Sequence, residues 1–273
     1  MDIFVISLKD AFARRLHIDQ QFGEQKIKFH YFNAVEPDQI ETVISNTGFE
    51  LKGCSLTKGE IGCFLSHISL WKKIVDENLP YMAIFEDDIH LSSSAKIFLS
   101  DTNWIPKDID IVKLEAFSKV VSIKLYSKKT LIAKRYLHLL KGRHLGTAGY
   151  IISNQGARDI LNYTKNLPEI SPIDNILFEK YIDNNKVYQI FPALCIQDFI
   201  YNNENTKFIS SLQFDREIRH AGEKDPSIKI NKMSLKLKRE IFRIFCQIYN
   251  LYHKFFEKKL SSSDLNYLNL YFK

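Results

Sequence analysis

The stretch "YMAIFEDDIHL", residues 81–91, constrains this chain more than any other. Met82, Ala83, Ile84 and Phe85 form an apolar run bounded upstream by Pro80, and read as a short buried strand. The run finishes on three adjacent carboxylates, Glu86, Asp87 and Asp88. Neighbouring acids repel, and each is costly to bury unless a cation or strong donors compensate it. Strand alternation sends Glu86 and Asp88 to one side and Asp87 to the other. Ligands of open α/β sheets sit beyond the carboxyl ends of the strands, so the first and third acids read as a half-site for a hard divalent cation. The plain alternative is a solvated strand end followed by a cap.

The flanking segments supply a layered α/β frame. "DIFVISL" (2–8) predicts a buried strand, "KDAFARRLHIDQQF" (9–22) an amphipathic helix with Asp10 as its N-cap, and "IKFHYFNAV" (27–35) a second strand. Strand, helix and strand in that order imply a parallel pair. Neither GxGxxG nor GxxxxGK[ST] occurs, so a dinucleotide fingerprint and a P-loop are both absent. In "LTKGEIGCFLSHISLWKKIVDEN" (56–78), Thr57 and Glu60 have capping-box spacing, and Ile61, Phe64, Leu65, Ile68, Trp71, Ile74 and Val75 form a helical stripe. Glu60 and His67 are its notable polar residues, although a box glutamate and a helix-face histidine have structural explanations of their own.

Further on, "DIDIVKLEA" (108–116) predicts a strand with Glu115 near its end. "GTAGYIIS" (146–153) runs from small residues into a strand, and "NQGARDILNYT" (154–164) follows as a helix. "SPIDNILFEKYIDNN" (171–185) begins as a helix does, with Ser171 as cap and Pro172 in the first turn. Asp174 lies close behind, where the helix dipole alone would account for an acid. "KVYQIFPALCIQD" (186–198) predicts a late strand leading into Gln197 and Asp198.

A length of 273 residues accommodates one large α/β domain, or a domain with an appendage. The N-terminus lacks the basic start and cleavage site of a secretory signal, and no apolar run approaches the roughly 20 residues of a membrane span. Cys54, Cys63, Cys195 and Cys246 have no paired spacing, so thiols in a reducing cytoplasm are expected. The net charge of +6 is unevenly held. Residues 224–260 carry ten basic against three acidic side chains, whereas residues 1–223 are nearly neutral. We therefore expect a catalytic body, residues 1–222, and a basic tail, residues 223–273. In the tail, "SLKLKREIFRIFCQIYNLYHKFFEKKL" (234–260) has apolar residues at helical spacing, which reads as an amphipathic helix suited to an anionic membrane surface. A helix packed on the body is the alternative. The body has no basic stripe that would suit nucleic acid, so no nucleic-acid partner is expected.

Taken in order, "VISLK…ARR", "FNAVEP", "LTKGEIGCFLSHISLWKKI", "AIFEDDIHL", "GTAGYIIS.QGA" and "SPID" resemble glycosyltransferase family 25 across about residues 2–198. That family includes bacterial enzymes of lipooligosaccharide biosynthesis and collagen galactosyltransferases. The block from Leu56 to Leu91 is the specific part. The resemblance implies a GT-A fold, a Rossmann-like sheet that binds a nucleotide sugar with a divalent cation at an acidic motif usually written DxD. "EDD" looks like that motif with Glu86 in the first position.

The implied roles follow residue by residue. Glu86 and Asp88 are candidate ligands for Mn2+ or Mg2+, with Asp88 joined through the ion to the donor diphosphate, and Glu86 and Asp87 help bind the donor. Arg14 and Arg15 are candidates for the phosphates. Asp174 is the first choice for the base that deprotonates the acceptor, with a further metal ligand as its alternative role, and Glu115 is the second choice of base. Glu60 and His67 would shape the donor pocket. The expected reaction is transfer of a hexose, galactose in preference to glucose, from a UDP-sugar to lipooligosaccharide. It would invert to a β-linkage at the inner face of the cytoplasmic membrane. Two rival classes are a glycoside hydrolase built on two carboxylates and a non-catalytic sugar-nucleotide-binding or membrane scaffold protein.

Overall fold

The structure, a computed structural model, describes residues 1–117, 121–124, 127–184, 186–202 and 206–208. The segment 223–273, expected to be a basic amphipathic helix, lies outside the described residues.

The chain opens with β1 (Asp2–Ser7), α1 (Phe12–Glu24) and β2 (His30–Asn33), and β1 and β2 pair in parallel as expected. Two helices follow, α2 (Ile40–Thr47) and α3 (Lys58–Asp76), and then β3 (Tyr81–Glu86), which lies parallel to β1. Beyond the acidic turn come β4 (Ile89–Leu91), α4 (Ala95–Leu99), β5 (Ile111–Lys113), β6 (Lys129–Thr130) and β7 (Tyr136–Leu139). The described chain ends with β8 (Gly149–Ser153), α5 (Asn154–Lys165), α6 (Ile173–Asn175), β9 (Val187–Phe191), β10 (Cys195–Gln197) and α7 (Asp198–Tyr201).

Eight strands form one mixed sheet in the order β2-β1-β3-β8-β5-β9-β7-β6, and β10 pairs with β4 in a small second sheet. β3 sits near the middle, and Met82, Ala83, Ile84 and Phe85 are completely buried. Strand alternation divides them. Met82 and Ile84 face a core shared with Phe64, Leu65, Ile68 and Trp71 of α3, while Ala83 and Phe85 face Ile18 and Phe22 of α1 and Phe98 of α4. Burial on this scale is worth about 1.5–3 kcal/mol for each large apolar side chain, which fixes the register of β3 and hence the side on which Glu86 emerges.

The capping box at the start of α3 is present. Thr57 Oγ1 accepts from the Glu60 amide at 3.2 Å, and the Glu60 carboxylate accepts from the Thr57 amide at 3.0 Å. Close packing on the loop after β2 requires Gly62, because a Cβ there would collide with the Val35 carbonyl oxygen.

Several boundaries differ from the sequence reading. Asp10 does not cap α1; the helix starts at Phe12 behind Ala11, with no side-chain cap. β2 is confined to His30–Asn33. Residues 171–185 do not form one helix: the short α6 passes into a π-helical turn, Ile176–Lys180, and a 3-10 turn, Tyr181–Asn184. Ile176, Leu177 and Phe178 are buried consecutively, which one face of a regular helix cannot achieve, and Phe178 leaves helical geometry at φ −116° and ψ 17°. Residues 186–198 divide into β9 and β10 around Pro192, which has no amide hydrogen for a ladder.

Candidate active site

The sheet directions place the chemistry at one edge. β1, β3, β5 and β9 run the same way and β8 runs against them, so the start of β8 meets the carboxyl ends of β3 and β5. Thr147, just ahead of β8, donates through Oγ1 to Glu86 Oε1 at 2.8 Å, and the Glu86 amide donates to the Ala148 carbonyl at 3.0 Å. At the end of β10, Gln197 Nε2 donates to both Glu86 Oε2 at 3.2 Å and Asp88 Oδ1 at 3.3 Å. The first and third acids therefore converge on one amide. Asp87 is held separately, accepting from Arg14 Nη1 at 2.7 Å, and the same nitrogen lies 3.7 Å from Asp88.

Charge at this edge is strained. Burial and then the neighbouring Asp88 push the Glu86 carboxyl up to about 8. Burial also pushes Asp88 up to about 6, against the pull of Arg14. Both shifts record carboxylate charge that the protein's own groups leave undercompensated.

Behind the pair lies a second acid. Glu115 is fully buried, and its Oε2 accepts from Lys113 Nζ at 3.3 Å and from the Ala148 amide at 3.1 Å. Lys113, itself fully buried, also donates to the carbonyls of Leu145, at 2.8 Å, and Gly146, and sits 4.0 Å above the Phe178 ring. Burial raises the Glu115 pKa and lowers that of Lys113, and each partner partly offsets the other's shift. Gly146 closes over this acid at φ +88°, and a Cβ there would come 2.5 Å from Glu115 Oε1. Left-handed backbone and that close approach together require glycine.

The other expected site residues are distributed around this edge. Arg15 clamps the ends of β1 and β2: its guanidinium donates to Leu8 O at 3.1 Å, Ser7 O at 3.2 Å and Asn33 Oδ1 at 2.6 Å, and lies 4.6 Å over the Tyr31 ring. Glu60 closes the capping box. His67 is fully buried on α3, its Nδ1 is 2.8 Å from Tyr150 Oη, and burial lowers its pKa to about 3, so the ring is neutral. Trp71 Nε1 donates to the same Tyr150 oxygen at 2.8 Å. Asp174 is buried in α6, where Oδ1 accepts from the Asn175 amide at 3.0 Å, and its charge reaches Lys113. Thr147, Gln197 and Lys113 were not among the expected site residues. Lys113 alone had a local signal, a lysine inside the apolar run "DIVKL".

The sequence profile described as glycosyltransferase family 25 (LPS biosynthesis protein) matches residues 1–177. The lipooligosaccharide biosynthesis protein lex-1 of Haemophilus influenzae is 35% identical, with 88% of this chain and 89% of that protein covered. The lacto-N-neotetraose biosynthesis glycosyltransferase LgtE of Neisseria gonorrhoeae is 37% identical over 80% of this chain and 82% of its own. Its counterpart LgtB of Neisseria meningitidis serogroup B is 36% identical over 79% and 83%. The chain belongs to glycosyltransferase family 25.

Proposed function

We propose that this glycosyltransferase moves a hexose, galactose in preference to glucose, from a UDP-sugar to a lipooligosaccharide acceptor with inversion to a β-linkage. The observation that carries the reading is the joining of Glu86 and Asp88 by one Gln197 amide at the carboxyl edge of the sheet. Relatives named for lipooligosaccharide and lacto-N-neotetraose biosynthesis support the acceptor class.

Glu86 and Asp88 suit a hard cation, Mn2+ or Mg2+, because they present carboxylate oxygens whose repulsion and burial are otherwise undercompensated. When bound, the ion supplies Lewis-acid stabilisation of the leaving diphosphate. Arg14 adds positive charge beside Asp87 and Asp88 and faces the donor phosphates, whereas Arg15 fixes the strand ends from which that site is built. Asp87 orients Arg14 and so contributes to donor binding. Asp174 takes the proton of the acceptor hydroxyl during attack. Glu60 and His67 shape the pocket wall, His67 as a neutral ring held by Tyr150.

Among the described residues no helix is long and apolar enough to cross a membrane. Association with the inner face of the cytoplasmic membrane falls instead to the basic segment 224–260 through anionic lipid. Truncation at 224 should reduce co-sedimentation with anionic liposomes; undiminished binding would exclude that role.

The reaction is tested by offering UDP-galactose, UDP-glucose and UDP-N-acetylhexosamines with truncated lipooligosaccharides and reading the anomeric configuration of the product by NMR. A β-galactoside is expected. Faster release of sugar without acceptor than transfer with it would identify a hydrolase, and donor binding without turnover a scaffold.

A further inference from the structure

Cys63 and His67 lie four residues apart on α3, one turn along the same helix face. Met82 and Ile84 of β3 pack on this helix, and alternation brings Glu86 out on the same side. As a result a thiol sulfur, an imidazole nitrogen and a carboxylate oxygen from three residues all lie within 4.8 Å of one another. The imidazole supplies an independent sign of a ligand, since His67 Nε2 is buried with no hydrogen-bond partner. Orphaned buried polar atoms are uncommon enough to require an explanation.

We propose that Cys63, His67 and Glu86 form a binding site for one thiophilic divalent cation of the Zn2+ class, which would compete for Glu86 with the oxygen-liganded ion expected at Glu86 and Asp88. Thiolate and imidazole select zinc over magnesium or manganese, and three protein ligands leave a fourth position open. Bonds of about 2.0–2.3 Å require the ligands to close by roughly an ångström. Cys63 and Glu86 are both partly exposed, and Glu86 would have to loosen its contacts with Thr147 and Gln197 to close on the ion. The outer shell is in place: in the tautomer that leaves Nε2 available, His67 donates from Nδ1 to Tyr150 Oη, which also receives the Trp71 indole. Such partners fix ring orientation and are worth about 10–100-fold in metal affinity.

The site does not depend on the transfer reaction, but its consequence does. With Zn2+ held here, Glu86 would leave Thr147 and Gln197, and on the reading proposed above transfer would be slower.

The test uses the full-length wild-type chain, stripped with EDTA, and needs no turnover. Alkylation by iodoacetamide is followed at Cys63 by peptide mass spectrometry with and without stoichiometric Zn2+, and partly exposed Cys54 serves as the internal reference. Protection of Cys63 by at least about tenfold is expected, with Cys54 unchanged. A Co2+ titration should give a thiolate-to-cobalt charge-transfer band that Zn2+ displaces, that survives Asp88→Asn, and that Cys63→Ser abolishes. Equal alkylation of Cys63 with and without Zn2+ would overturn the proposal, and so would a cobalt band that persists in Cys63→Ser. A trapped water joining the three groups predicts neither protection nor band. Failure of sugar transfer with this result intact would count against the proposed reaction alone.

Discussion

Arg14 and Asp87 meet at 2.7 Å across 73 positions of sequence, joining the first turn of α1 to the acid that the Glu86–Asp88 pair leaves aside. This contact holds the guanidinium near Asp88 as well, where it lowers that carboxyl's affinity for a proton. Replacing Arg14 by Gln removes the cation and should raise the Asp88 pKa further. The pH at which transfer reaches half its maximum should then move upward, as a pH–rate profile would record. An unmoved profile would show that Arg14 does not act on the cluster electrostatically.

Glu86 and Asp88 make stability depend on pH in a defined sense. Their carboxyls are pushed up to about 8 and about 6 in the folded protein. A carboxyl that holds its proton more tightly when folded contributes stability that is complete below its unfolded pKa and is lost as pH rises through the folded value. In EDTA the melting temperature should therefore fall as pH rises from about 4.5 to about 8. Glu86→Gln should flatten the part above pH 6. An unchanged slope in the variant would place the pH dependence elsewhere.

Gly146→Ala should be destabilising. The backbone is left-handed at φ +88°, and the new methyl group would press on the buried Glu115 carboxylate. A cost of about 1–3 kcal/mol is expected from the conformation alone. Denaturant unfolding measures it; a difference below 0.5 kcal/mol, on the order of an ordinary surface substitution, would contradict the constraint.

If Asp174 takes the acceptor's proton, Asp174→Asn should lower kcat by a factor on the order of 10² or more. Donor affinity, measured by calorimetry, should change little. Loss of donor binding in parallel with turnover would assign Asp174 to binding or to the α6 turn instead.

The parts of this site legible in the sequence are those whose cause is local. Three acids after four apolar residues announce a strand end, and Thr57 with Glu60 announces a helix start, because both patterns depend on near neighbours. Gln197 and Thr147 gave no comparable sign. They reach Glu86 from 111 and 61 residues away, brought there only by the antiparallel course of β8 and the turn from β9 into β10. Lys113 sits in a recognisable strand, yet its burial depends on Glu115 and on carbonyls 32 and 33 residues distant. The helix expected over 171–185 fails for a related reason: Ser171, Pro172 and Asp174 signal a start, while tertiary packing of Ile176, Leu177 and Phe178 dictates the π turn that follows.

The most direct measurement is transfer of galactose from UDP-galactose to a truncated lipooligosaccharide, followed in excess EDTA, after return of Mn2+, and in Asp88→Asn shown by circular dichroism to remain folded. Activity should vanish with chelation, recover with Mn2+, and fall at least about 100-fold in the variant, in keeping with loss of a group that stabilises transition-state charge. Full transfer in EDTA, or wild-type turnover by Asp88→Asn, would contradict a cation-assisted transferase centred on Glu86 and Asp88.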